Sequence, residues 1–193
     1  MACVRAAFRV PCAHSAACGM WHRAACAYNT QAIMKRAPST AATRMLREHG
    51  VVFTEHLYRY EEHGGTGVPA HDLGVAEHAV IKTLVLQDDE RRPLLMLMHG
   101  DREVSMRALA RQTGRRSVEI CTPEVANRHS GYLVGGTSPF GTRKTMPVYV
   151  ERGVLALERI YVNGGSRGFL VALSPGDLVR VLAPTAVDAA LAP

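Results

Sequence analysis

A glycine-rich stretch from Gly131 to Thr145 constrains the fold of this chain more than any other segment. It reads GYLVGGTSPFGTRKT and holds four glycines and one proline. Glycine adopts backbone conformations that the interior of a helix or strand excludes, and a glycine pair followed by Thr-Ser-Pro fixes a bend. We therefore predict a loop whose backbone N–H groups a ligand can approach closely. On this stretch alone, a plain tight turn between two strands is the alternative.

Two well-known loop motifs are absent from this stretch. Gly136 and Gly141 have the separation of a phosphate-binding P-loop, but Thr142 and Arg143 follow instead of Lys and Ser or Thr. A nucleophile elbow needs glycine two residues after its serine, and Phe140 occupies that place after Ser138. The spacing therefore predicts neither a nucleotide phosphate cradle nor a serine hydrolase.

The composition predicts one globular domain, residues 39–193, behind a different N-terminal segment. Residues 1–38 carry five of the 23 basic residues, no acid and four of the five cysteines. The rest of the chain is nearly neutral, with 18 basic against 17 acidic residues. We expect residues 1–38 to be disordered or an upstream extension before a natural start at Met34, with a targeting segment as the alternative.

The cysteine and histidine spacing matches no paired zinc pattern, so we predict neither a metal nor another cofactor. Cys121 is the lone cysteine of the domain, which is compatible with a reducing compartment. No apolar run is long enough to span a membrane. These features together predict a cytoplasmic protein.

Hydrophobic patterning and capping residues predict more strands than helices. The predicted strands are 51–58, 80–87, 94–98, 118–121, 146–150, 159–162 and 169–173, and the predicted helices are 40–47, 70–73, 105–112, 122–128 and 174–182. The last two strands are expected to form a hairpin around Asn163–Ser166. Because at least one pair is antiparallel, we predict an α+β fold with a mixed, strongly curved or barrel-like sheet and flanking helices.

Lys82 lies inside the apolar segment Ala79–Leu86, which is typical of a strand buried on both faces. An ammonium group there is costly to bury unless an anion or several acceptors meet it. Lys82 is therefore a candidate ligand contact, and a lysine whose stem packs while its head reaches solvent is the alternative. Tyr58 and Tyr60, at the end of the first strand, are either a stacking surface for a base or part of the rim. The scattered histidines give no nucleophile and base pair.

Three segments, taken together, resemble one family. They are VIKTLV around Lys82, SGYLVGGTSPFG over 130–141 and IYVNGGSRG over 160–168. In this order and spacing they resemble the YbaK/EbsC-type aminoacyl-tRNA deacylases, freestanding relatives of the editing domain of bacterial prolyl-tRNA synthetases. The resemblance covers about residues 42–182, and it implies a single domain whose mixed sheet closes toward a barrel.

The resemblance also implies which residues form the site. Lys82 matches the family's essential lysine, and Gly135 and Pro139 match the ends of its Gly-x-x-x-Pro loop. Asn163 stands where close relatives often have serine, and Leu170 stands where some members carry an acid. The expected catalytic residues are Lys82 and Gly135, and the expected substrate-binding residues are Tyr58, Thr83, Gly136, Thr137, Ser138, Pro139 and Asn163.

The implied activity is clearance of mischarged tRNA in trans, above all Cys-tRNA(Pro) and also Cys-tRNA(Cys), by substrate-assisted cleavage of the aminoacyl ester. The expected partners are tRNA(Pro) charged with cysteine and prolyl-tRNA synthetase, without DNA or a membrane. Two alternatives stay open: an Ala-tRNA(Pro) deacylase of the same superfamily, and a non-catalytic module that binds tRNA or a synthetase. The near-neutral domain favours modest intrinsic affinity for tRNA.

Overall fold

Eight strands and five helices build the part of the chain that the structure, a computed structural model, describes: residues 37–191. The strands are β1 Thr54–Leu57, β2 Val80–Asp88, β3 Pro93–His99, β4 Val118–Ile120, β5 Val148–Glu151, β6 Ile160–Ser166, β7 Phe169–Leu173 and β8 Thr185–Val187. The helices are α1 Ala41–Glu48, α2 Gly67–Leu73, α3 Met106–Gln112, α4 Pro123–Ser130 and α5 Pro175–Leu182. The prediction for the N-terminal segment falls almost entirely outside these residues.

The strands form one mixed sheet in the order β1-β7-β6-β2-β3-β5-β8, with β4 paired to β2 beside this path. The pairs β2/β6, β3/β5 and β5/β8 are parallel, and the other pairs are antiparallel. This confirms the α+β fold with a mixed sheet and flanking helices. Within residues 37–191 the path is open, with β1 and β8 as its edge strands.

Helix ends follow the capping residues of the sequence. The Thr40 hydroxyl accepts the N–H of Thr43 at 3.1 Å, and the Thr43 hydroxyl accepts the N–H of Thr40 at 3.0 Å, which forms a capping box before α1. The hydroxyls of Ser105 and Ser174 accept the N–H groups of Ala108 and Asp177 and cap α3 and α5. Because each hydroxyl satisfies an N–H that the helix leaves unpaired, these starts agree with the prediction to within a residue or two.

The core lies along the middle of the sheet. Residues 94–99 of β3 are all buried, and Leu97 and Met98 are fully so. Strand β2, between β6 and β3, has a different pattern: its ends are buried, whereas Lys82, Thr83 and Leu84 are only half-buried. A central strand that exposes three residues in its middle leaves a space beside it, and the candidate site occupies that space.

The turn of the last hairpin was predicted in the wrong place. Strand β6 continues through Asn163 to Ser166, with an irregular register between these two residues, and the turn falls at Arg167-Gly168. A Cβ on Gly164 would lie 2.5 Å from the Phe169 ring, so glycine is needed there for close packing rather than for a turn. The predicted first strand was also too long at its start, and β8 was not predicted.

Candidate active site

A cavity of about 910 Å³ opens beside β2, a size typical of small-ligand sites. It exists because β2 is only partly paired on the side away from β3. On that side β2 pairs with β6 at Val80 and Ile81 and with β4 at residues 86–88. Residues 82–85 face the gap between these two partners, and all four line the cavity. The sheet topology therefore places Lys82 at a ligand-sized opening.

Lys82 holds its ammonium group at one end of this cavity. Its Nζ donates to the carbonyl oxygen of Gly100 at 3.2 Å. Burial lowers the pKa of Lys82, and the nearby carboxylates of Glu103 and Glu77 act in the opposite direction. Within residues 37–191 Lys82 has no ion-pair partner. The ammonium group thus keeps donors for an anionic or carbonyl oxygen of a ligand.

Thr83 adds a second polar group to the same wall. Its Oγ1 atom is buried and has no hydrogen-bond partner among the described residues. The Val85 carbonyl accepts the N–H of Cys121 at 3.1 Å, so the backbone of Val85 points away from β3. Since strand residues alternate, the backbone groups of Thr83 point into the same gap. Thr83 therefore offers the cavity its backbone groups, whereas its hydroxyl is buried beside them.

The glycine loop forms the opposite wall through a tight turn. The N–H of Gly136 donates to the carbonyl of Leu133 at 2.9 Å, and Gly135 has a φ of 85°. A turn with positive φ at its third residue is of type II, which strongly favours glycine there. The backbone N–H groups of Gly135 and Thr137 donate to no acceptor among residues 37–191, and both residues line the cavity. They are therefore available to a ligand oxygen.

Two side chains from the β6–β7 hairpin brace this turn. Asn163 donates from Nδ2 to the Gly135 carbonyl at 3.0 Å and accepts the N–H of Gly165 at Oδ1. Arg167 donates from Nε to the Val134 carbonyl at 2.9 Å, and its guanidinium lies 5.0 Å from the centre of the Tyr60 ring. These hydrogen bonds occupy the carbonyls of Val134 and Gly135 and leave the N–H of Gly135 free within the described chain. Asn163 both lines the cavity and orients the loop.

The buried side chain of Tyr132 also anchors the loop. Its hydroxyl donates to the Phe140 carbonyl at 2.7 Å, and the side chain is buried. Burial raises the pKa of Tyr132 to about 12, so the phenol stays a hydrogen-bond donor over the physiological range. A loop held at both ends in this way presents its N–H groups in a fixed direction.

The cavity brings together six of the nine predicted site residues: Lys82, Gly135, Tyr58, Thr83, Thr137 and Asn163. Tyr58 lies on the wall beside Tyr60, and burial raises the pKa of its hydroxyl, which stays protonated at neutral pH. The other three residues lie behind the lining. Ser138 is fully buried, and Gly136 and Pro139 are buried as well. These three residues can shape the loop, but they do not contact a ligand in the cavity directly.

Glu77 and Arg167 also line the cavity and were not among the predicted site residues. Arg167 lies within residues 160–168, one of the segments that carry the family resemblance, and next to Gly168. The sequence therefore held a signal for it. Glu77 gave no sequence signal, because an acidic residue in the segment between two secondary-structure elements is typical of the protein surface. Only the packing of its turn against Gly100 brings it to the end of the cavity that holds Lys82.

Neither Ser138 nor Cys121 is an activated nucleophile in this cavity. Ser138 is buried behind the loop, and its Oγ faces the N–H of Phe140 at 3.3 Å. Cys121 lines the cavity, but burial raises the pKa of its thiol, which disfavours the reactive thiolate. The free groups are an ammonium, two backbone N–H groups and hydroxyls, which can polarise a carbonyl and stabilise an oxyanion.

Replacing Gly135 with alanine is expected to disturb the loop. The alanine would have to adopt a positive φ, and its Cβ would lie 2.9 Å from the Tyr60 hydroxyl. We therefore expect the variant to lose about 1–2 kcal/mol in stability and to lose activity to a larger extent. Thermal unfolding and substrate turnover measure the two effects. Gly50→Ala is the control, because Gly50 has a φ of 62° and no atom within 4 Å of the added Cβ. If both variants lose activity equally, the geometry of the loop is not what turnover requires.

Residues 69–181 match the model of the aminoacyl-tRNA editing domain family. A relative from Enterococcus faecalis, named as the Cys-tRNA(Pro)/Cys-tRNA(Cys) deacylase EbsC, is 30% identical over 148 residues, which cover 76% of this chain and 90% of the relative. A proline–tRNA ligase from Nitratidesulfovibrio vulgaris is 33% identical over 79 residues. That match covers 41% of this chain and 14% of the ligase.

A solved structure described as a trans-editing enzyme for prolyl-tRNA synthetase has the same fold. It superposes with a TM-score of 0.70 at 20% identity, and the match covers 81% of this chain and all of that chain.

In residues 37–191 no helix is long and apolar enough to cross a membrane. Within the same residues, no three His, Cys, Asp or Glu side chains are grouped to hold a metal ion.

Proposed function

Because this chain belongs to the aminoacyl-tRNA editing domain family and is an aminoacyl-tRNA deacylase, we propose that its substrate is tRNA(Pro) mischarged with cysteine. The enzyme acts in trans, on tRNA released by the synthetase. The name of the Enterococcus faecalis relative supports cysteine as the amino acid, and the matching segment of proline–tRNA ligases supports tRNA(Pro). Prolyl-tRNA synthetase is the proposed partner, and the cytoplasm is the proposed location.

The free donors around the cavity are the observation that carries this proposal. Ester cleavage needs groups that stabilise the negative charge on the carbonyl oxygen of the transition state. The N–H groups of Gly135 and Thr137 and the ammonium of Lys82 line the same cavity and have donors to spare. An aminoacyl ester placed between them receives this stabilisation without a protein nucleophile.

An alanyl ester is the second candidate substrate, and the apolar side chain of Leu170 is the observation that keeps it open. This side chain is buried and lines the cavity. An apolar wall suits a methyl group as well as it suits a thiol, because neither is charged. The two substrates therefore have to be separated by their rates.

Deacylation of a panel of charged tRNAs tests the proposal. Cys-tRNA(Pro), Cys-tRNA(Cys), Ala-tRNA(Pro) and Pro-tRNA(Pro) are each incubated with the enzyme, and release of the amino acid is followed. We expect the fastest release from Cys-tRNA(Pro). Preferred release from Ala-tRNA(Pro) would select the second candidate, and release from none of the four would refute deacylation of this substrate class.

A basic surface beside the glycine loop is suited to the phosphates of the tRNA. Residues 125–150 contain no acid, and Arg128, Arg143 and Lys144 are exposed there. The N–H groups of Arg143 and Lys144 donate to the carbonyls of Ser130 and His129, which holds both next to the end of α4. None of these three cations is in an ion pair within the described chain. They are therefore free to contact phosphate groups.

Reversing the charge of Arg143 and Lys144 together is expected to raise KM for charged tRNA and to change kcat little. Two lost phosphate contacts should also reduce the slope of log affinity against log salt concentration by about 1.5 to 2. Titrations of KM at several salt concentrations measure both effects. Arg111→Glu on α3 is the control, since Arg111 is exposed and unpaired in the described residues. An unchanged salt slope in the double variant would place the tRNA on another surface.

A further inference from the structure

We infer that Glu77 forms a subsite for a primary ammonium group, which in the substrate is the α-ammonium of the aminoacyl ester. The inference rests on the proposed function and adds a specificity-determining residue to it. Glu77 lies on the short 3-10 turn Glu77–Ala79 that leads into β2, and it lines the cavity.

The Glu77 carboxylate is held in a defined position. The Thr66 hydroxyl donates to Glu77 Oε1 at 2.7 Å, and a Cβ on Gly67 would lie 3.8 Å from both carboxylate oxygens. Oε2 has no hydrogen-bond partner among residues 37–191. One oxygen is thus anchored by the protein, and the other is free to accept from a ligand.

Glu77 and Lys82 lie at the same end of the cavity without forming an ion pair. Lys82 donates to the Gly100 carbonyl, and a Cβ on Gly100 would lie 2.6 Å from the Thr66 hydroxyl and 2.8 Å from the Glu77 carbonyl oxygen. Within the described chain the ammonium and the carboxylate are farther apart than an ion pair allows. An anion and a cation held near each other, but apart, fit a ligand that carries both complementary groups.

An aminoacyl ester is such a ligand. Its α-ammonium lies one carbon away from its carbonyl group, so a carboxylate can bind the first while Lys82 and the loop amides face the second. Without an acid, the positive charge of Lys82 would repel the α-ammonium. Glu61 and Glu62 also line the cavity, but both are exposed, whereas Glu77 is half-buried beside Lys82. Glu77 is therefore the acid best placed to accept the ammonium.

Binding of two non-hydrolysable analogues tests the subsite. The probes are 3′-cysteinylamino-3′-deoxyadenosine with a free α-amine and the same compound with an N-acetyl group, each titrated into the full-length protein by calorimetry near pH 6. Loss of a charge-assisted hydrogen bond weakens binding by about 10- to 100-fold. We expect the wild-type protein to prefer the free amine by about that factor, and Glu77→Gln to abolish the preference while its affinity for the N-acetyl compound stays the same.

Glu103→Gln is the matched control. Glu103 acts on the charge of Lys82 as Glu77 does, but it does not line the cavity. This variant should keep the preference for the free amine. Equal binding of both analogues by the wild-type protein, no binding of either, or a Glu77→Gln variant that weakens both equally would each overturn the inference.

Because the amide analogues are not cleaved, this result is independent of turnover. Failure of the tRNA panel with a positive analogue preference would refute the proposed reaction and leave the ammonium subsite in place. Turnover of the panel without an analogue preference would do the reverse. The two proposals can therefore fail separately.

Discussion

Replacing Lys82 with alanine is expected to lower kcat/KM for the mischarged tRNA by roughly 30- to 1,000-fold and to leave the fold intact. Loss of one charged contact to a developing oxyanion or to a phosphate costs about 2–4 kcal/mol of transition-state stabilisation. Lys82 is half-buried, it makes a single hydrogen bond to a backbone carbonyl, and it has no ion-pair partner in the described residues. Its removal therefore leaves no buried charge unpaired.

Single-turnover deacylation and thermal unfolding, measured on the same samples, check this expectation. Lys82→Met keeps the packing of the side-chain stem without the charge and should lose as much activity as Lys82→Ala. Lys82→Arg should fail as well, because a planar guanidinium needs more room than an ammonium. If Lys82→Ala keeps activity within about threefold of the wild type, Lys82 contributes only surface packing.

The second large effect concerns the amino acid on the tRNA. Cys-tRNA(Pro) is expected to be cleaved orders of magnitude faster than Ala-tRNA(Pro) or Ser-tRNA(Pro), because the substrate supplies the nucleophile that the described cavity lacks. We expect the cysteine sulfur to attack its own ester carbonyl and to form the C–S bond of a cyclic thiolactone. The ribose 3′-oxygen would leave with its bonding electrons and take up the thiol proton, and water would then open the thiolactone to cysteine.

The magnitude follows from the tethered geometry. An intramolecular attack in a favourable pose reaches effective molarities of about 10⁵ M or more. The fixed loop and Lys82 would hold the ester carbonyl while the thiol approaches. Alanine has no attacking group, and a serine hydroxyl is a far weaker nucleophile at neutral pH than a thiol.

Product analysis separates this route from attack by water. Mass spectrometry of the earliest products from Cys-tRNA(Pro) should detect the thiolactone before free cysteine. A 2-aminobutyryl-tRNA(Pro) is the matched control, since it keeps the number of side-chain heavy atoms and replaces the attacking thiol with a methyl group. Equal rates for cysteine and alanine, with only free amino acid at the earliest times, would instead assign the attack to a water molecule activated by Lys82 or the loop.

Local sequence preferences predicted the bend in the glycine loop. The glycines and the proline of residues 131–145 predicted a bend with accessible N–H groups, and the structure has a type II turn with Gly135 at its positive-φ position. Within the loop, the Leu133 carbonyl accepts the N–H of Gly136. The orientation of the turn also depends on a distant strand, because Asn163 donates to the carbonyl of Gly135.

The hairpin shows the opposite case. Asn-Gly-Gly-Ser reads as a turn by local propensity, but the structure keeps these residues in β6 and turns at Arg167-Gly168. The Phe169 ring packs where a Cβ on Gly164 would lie, and the Gly136 Cβ position is 2.9 Å from the Arg167 backbone nitrogen. These glycines allow close approach between segments, and that requirement depends on long-range packing.

The sequence by itself determined the α+β class, most helix starts and the segments that carry Lys82 and the glycine loop, because capping, periodicity and turn preferences act within a few residues. Only the tertiary structure decided that β2 is left partly unpaired between β6 and β4, which opens the cavity beside Lys82. It likewise decided that Ser138 lies buried behind the loop and that Glu77 joins Lys82 at one end of the cavity. Strand order and the packing of distant turns depend on contacts between residues far apart in the chain, which local preferences do not specify.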